Sequence, residues 1–69
     1  MRALHDRLAT ITCTLPWTLD DSRDLYELLK PFTNADEKLD VYNPRGDQVI
    51  VTIMSDTGDL VARKVYDAV

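Results

Sequence analysis

The chain has one cysteine, one histidine and only two glycines in 69 residues, and each scarcity removes a class of solution. Cys13 alone cannot form an internal disulfide. With His5 as the single histidine, it supplies too few ligands for a structural zinc site. No apolar run approaches the ~20 residues of a membrane span, and the opening MRALHDRLAT lacks the apolar core of a secretory signal. With a lone thiol, these features predict a cytoplasmic protein that needs no cofactor or metal. There is no glycine-rich phosphate loop and no paired basic-aromatic stripe. Eight basic against twelve acidic residues give a net charge of −4. That balance disfavours direct contact with nucleic acid or an anionic membrane, which requires a positive field, and suits a basic protein surface.

What is present is a small foldable chain. Its 45% hydrophobic content argues against disorder. A single domain over 1–69 buries only about 60% of its unfolded surface, and at this size apolar burial barely exceeds ordering entropy. Without disulfide or metal, the composition points to extra stability from a partner, either a homodimer or a larger protein.

Both glycines fall in matched stretches, NPRGD (Asn43 to Asp47) and SDTGD (Ser55 to Asp59). Each offers a side-chain acceptor first, glycine fourth and aspartate fifth, as in a type I turn closed by a left-handed glycine. Pro44 presets φ at its position. Pairing Asn43 with Asp47 and Ser55 with Asp59 predicts a three-stranded meander over about 37–43, 47–54 and 59–67. In that register Leu39, Val41, Val49, Val51, Ile53, Val61 and Val65 share the inner face, with Arg63 the exception. A competing reading makes TGDLVARKVYDAV a helix capped by Thr57, which gives β-α-β-β-α, a truncated ferredoxin-like domain with a small-molecule-sensing role.

Upstream, ATITCTL alternates Ala9, Ile11, Cys13 and Leu15 against threonines, which predicts a half-buried edge strand. Thr18 reads as an N-cap, followed by Asp20, Asp21 and Asp24 at the positive end of a helix dipole. Leu25, Leu28, Leu29 and Phe32, with Leu19 at the start, form the expected apolar stripe. Pro31 predicts an irregular last turn. The fold class is therefore a small α+β domain of order β-α-β-β-β, one amphipathic helix on a mostly antiparallel three- to four-stranded sheet.

No motif identifies a family. Asp56-Thr57-Gly58 matches the triplet of aspartic proteases, but two such loops must share one proton; a dimeric enzyme built on Asp56 is the third reading, and the plain turn is preferred. Arg45-Gly46-Asp47 reads as a hairpin tip. The expected function is a non-catalytic acidic binding module, an inhibitor or adaptor that blocks a surface of a larger protein, nucleic-acid-binding proteins being one such class. Phage-encoded inhibitors of host machinery are an analogy of size and charge alone. Predicted contacts are Tyr42, Ile50, Met54 and Tyr66 on the outer sheet face, with Asp20, Asp24 and Glu27 as the electrostatic alternative.

Overall fold

The computed structural model describes residues 3–69. Its elements are α1 (Ala3–Thr10), α2 (Leu19–Leu29), a short 3-10 turn (Lys30–Phe32), β1 (Lys38–Tyr42), β2 (Gln48–Met54) and β3 (Leu60–Asp67). The strands form one antiparallel sheet in the order β1-β2-β3. This is the expected α+β class with the expected meander, and β3 overturns the C-terminal helix on which the ferredoxin-like alternative rested.

Local chemistry accounts for α2. Thr18 accepts from the Asp21 N–H at 3.2 Å, while the Asp21 carboxylate accepts from the Thr18 N–H at 2.9 Å. The reciprocal pair satisfies two backbone donors that the helix start would otherwise leave open. Leu25 and Leu29, one turn apart, are buried, each contributing about 1.5–3 kcal/mol of apolar burial. Leu19 and Leu28 are exposed, contrary to the expected stripe. The buried edge of α2 is only as wide as its i, i+4 row. Pro31 lies in the 3-10 turn, so the last turn is irregular, as expected.

The N-terminal segment departs from the expected strand. Residues 3–10 are helical because Leu4 and Leu8, spaced i, i+4, both enter the core, whereas Ala9 is exposed and lies within the helix. Thr10 Oγ1 donates back to the Arg7 carbonyl at 2.9 Å, a local bond that competes with further helix. The chain then runs on as an irregular stretch past the cis Leu15–Pro16 peptide. Two backbone hydrogen bonds tie this stretch to the C-terminus: Val69 N–H donates to the Cys13 carbonyl at 3.1 Å, and Leu15 N–H to the Val69 carbonyl at 2.7 Å. Cys13 is buried as expected, but Leu15 is exposed.

Two register corrections decide which side chains share a face. Leu39 pairs with Ile53 and Val41 with Val51, a shift of two from the expected partners Val51 and Val49. An even shift preserves the faces. On β3 an irregularity at Ile53/Met54 leaves Val61 without a partner: Met54 pairs with Leu60, but Ile53 with Ala62. This bulge reverses the parity of the rest of the strand. Tyr66 therefore faces Val49 in the core, and Val65 lies beside Ile50 on the other side. The expected Val49–Val65 contact does not form.

The core consists of Leu4 and Leu8 of α1, Leu25 and Leu29 of α2, Cys13, and the inner sheet residues Leu39, Val49, Val51, Ile53 and Tyr66. Both helices contribute to this one cluster, so they lie on the same side of the sheet.

Candidate functional site

The opposite side of the sheet carries three rows that span all three strands, read from the strand pairings, and a fourth, Gln48 with Asp67, that spans two. Lys38, Met54 and Leu60 form the first, Asp40, Thr52 and Arg63 the second, and Tyr42, Ile50 and Val65 the third. Tyr42 and Val65 keep 42% and 38% of their surface open, and Leu60 keeps 59%. Ile50, between the first two, is 7% exposed yet lies outside the helix-side core cluster. Its burial comes from its neighbours on this face. The result is a shallow apolar row with a covered centre, separated from Met54 and Leu60 by the row that carries Asp40 and Arg63 on the two edge strands.

Of the four sheet residues expected to make contacts, this surface gathers three. Tyr42 lies fully on it, Met54 is half-buried on it, and Ile50 is its centre. Tyr66 is not on it. The bulge turns its ring into the core, where its hydroxyl donates to the Leu8 carbonyl at 2.6 Å. Burial, with a smaller contribution from Cys13, pushes the Tyr66 pKa up to about 12. Burial likewise raises the Cys13 thiol, the opposite of what nucleophile activation requires. Val65, expected inside, takes the outer place.

The three acidic residues expected as the electrostatic alternative, Asp20, Asp24 and Glu27, lie on α2, on the helix side of the sheet and away from this strip. Asp20 pairs with Arg23 at 3.1 Å, both well exposed, so Arg23 compensates part of the acidic charge of α2. Asp21 is committed to the helix cap. Asp24 and Glu27 remain on the exposed surface of α2. Glu37 is buried and accepts from the Asn34 N–H at 2.8 Å. It structures the loop before β1.

A cleft of about 310 Å³ separates the end of α1 from α2, lined by Arg7, Ile11, Trp17, Asp24, Leu25 and Leu28 among others. Trp17 flanks the core, and its indole N–H donates to Ser22 Oγ at 2.7 Å, so its role is packing. Arg7 lies over the Phe32 ring at 5.3 Å. These commitments leave the cleft without a converging set of acid, base and nucleophile. Among the described residues no group of three or more His, Cys, Asp or Glu could hold a metal ion. No described helix is long and apolar enough to cross a membrane.

Asp56-Thr57-Gly58 closes the β2–β3 hairpin. Ser55 N–H donates to the Asp59 carbonyl at 2.8 Å, Gly58 N–H to the Ser55 carbonyl at 3.0 Å, and Asp59 N–H to Ser55 Oγ at 3.0 Å. Thr57 Oγ1 donates to the Asp59 carboxylate at 3.0 Å. Each polar group flanking Asp56 is used within the turn. No protein-family model, curated protein or solved structure matches this chain.

Proposed function

We propose that this chain is a non-catalytic protein-binding module that covers a surface of another protein, as a small inhibitor or adaptor does. The observation that supports this reading is the strip Tyr42–Ile50–Val65 with Met54 and Leu60, left open because both helices pack on the other side of the sheet. Apolar and aromatic side chains along the middle of a sheet face, with charges on its edge strands, are the composition of a recognition surface. Asp24 and Glu27 contribute to the net charge of −4 and favour approach to a basic partner, raising the association rate more than the final affinity.

The test is capture of partners from the native cell, followed by titration of each captured protein against surface variants. Val65→Lys, which puts a charge at the exposed end of the Tyr42–Ile50–Val65 row, abolishes binding while the circular dichroism spectrum is unchanged. Asp24→Lys with Glu27→Lys slows association and flattens its salt dependence. Unaltered affinity of the Val65→Lys protein for the captured partner overturns the reading.

A further inference from the structure

We infer that the partner this open face fits is a second copy of the chain, docked face to face about a two-fold axis parallel to the strands. The inference rests on the reading of that face as a docking surface and adds the identity of what covers it. Its basis is the distribution of charge. Asp40 and Arg63 flank Thr52 in one row, on opposite edge strands. They are two strand spacings apart, roughly 10 Å. Neither has an ion-pair or hydrogen-bond partner among the described residues.

A two-fold axis running along β2 exchanges the two edges. It sets β1 of one copy over β3 of the other and keeps each row over itself. Asp40 then faces Arg63 of the second copy, twice, at the rim of the contact. Ile50 lies over its own counterpart at the centre, and Tyr42 covers Val65. An axis running across the strands through the same row instead stacks Asp40 on Asp40 and Arg63 on Arg63. Charge therefore selects one arrangement of the same two faces. Facing sheets pack within about 30° of parallel with side chains interdigitating, and a self-complementary patch closes into a dimer without leaving further sites open. The chain also has reason to dimerise, since its single cysteine allows no internal disulfide and 69 residues give little core of their own. A foreign protein then reaches this face by displacing the second copy.

Analytical ultracentrifugation of the full chain over a wide concentration range tests this. The expected result is a species of twice the 7.9 kDa chain mass that dissociates on dilution. Asp40→Arg and Arg63→Asp each weaken dimerisation by more than about 10-fold, since like charges are brought together across the interface. The double variant recovers most of the loss. Val65→Lys is monomeric with an unchanged circular dichroism spectrum. A monomer persisting at ~1 mM overturns the inference, because only a dissociation constant weaker than that escapes detection. Failure of the double variant to recover also overturns it, as does recovery of Arg63→Asp by Asp67→Arg in place of Asp40→Arg. A monomer whose Val65→Lys form loses a foreign partner keeps the protein-binding reading and discards the homodimer. A monomer whose foreign binding is indifferent to Val65→Lys discards both.

Discussion

The two hairpins carry nearly the same five-residue pattern and close differently. At Ser55 the loop forms as its sequence implies, with the serine hydroxyl accepting from the Asp59 N–H and the backbone pair Ser55–Asp59 in place. At Asn43 the loop is wider. The Asn43 carboxamide donates to the Gln48 carbonyl at 2.8 Å, and the Asp47 carbonyl accepts from Ala68 N–H at 2.8 Å. Asp47 has joined the β2–β3 ladder in place of closing its own turn. Both glycines adopt the left-handed conformation, Gly46 at φ 82° and Gly58 at φ 89°. A turn motif thus fixes where the chain reverses, while the residue that pairs first after the turn depends on a neighbouring strand. The consequences are unequal. The wider loop shifts β1 by two and leaves the faces alone; the tight loop is followed by a bulge that turns over most of β3.

The strongest way to break the comparison is to remove what the bulge places inside. Tyr66→Ala costs about 3–5 kcal/mol, the range for a buried aromatic, whereas Tyr42→Ala on the open face costs under about 1 kcal/mol in the monomer. Thermal melts separate them readily, since 1 kcal/mol moves the midpoint of a domain this size by about 4–8 °C. Equal losses would mean that the bulge is misplaced.

Next in size are the glycines. Neither has an atom within 4 Å of where a Cβ would stand, so alanine there reports backbone strain alone. Gly58→Ala costs about 1–2 kcal/mol, and Gly46→Ala less, because the wider loop can relax. Urea unfolding of both variants measures the difference, and a larger loss at Gly46 would reverse the assignment of which loop is tight.

Alkaline pH sharpens the parity claim. The folded-state pKa of Tyr66, about 12, is above the ~10 of a free tyrosine. The neutral form is therefore favoured by folding, and its contribution to stability is complete below pH ~10 and lost as pH rises from there through the folded value. Tyr66→Phe removes this share of the alkaline loss, read from unfolding free energies between those two pH values. An unchanged pH profile would place the ring in solvent.

The smallest expected effect is at Thr52. Its Oγ1 is buried without a hydrogen-bond partner, so Thr52→Val is neutral or stabilises by up to about 1 kcal/mol. A clear loss of stability would show that the hydroxyl has a partner.

The departures at the two ends of the chain have one cause. Leu8 belongs to the last turn of α1, whose final carbonyls have no partner within the helix, and the Tyr66 hydroxyl supplies one. A strand over Ala9 to Leu15 would leave no such carbonyl to satisfy, and Val65 could then face the core as the alternation suggests. With α1 formed, Tyr66 buries a larger side chain and satisfies a polar group at the same time. The spacing of Leu4 and Leu8 was visible in the sequence. The strict alternation of ATITCTL was the louder local signal and overlaps the helix end. Of the candidate site, Tyr42, Ile50 and Met54 were legible because β1 and β2 kept their parity. Tyr66 and Val65 were exchanged because one unpaired residue, Val61, reverses every position after it. The burial of Glu37 is not legible in sequence, because a carboxylate buried against its own loop looks there like any exposed acid.

By itself the sequence determined the features set within a few residues: two chain reversals at the only glycines, the cap and axis of α2 from Thr18 and Asp21, and the inward valines of β2. These rest on φ preference, local hydrogen bonding and side-chain alternation, all short-range. Only the tertiary structure decided that residues 3–10 form a helix and that the stretch after it is irregular, which face of β3 met the core, and which side of the sheet stayed open. Those outcomes turn on contacts between residues as far apart as Leu8 and Tyr66, where packing and the pairing of buried polar groups outweigh the local preference of either segment.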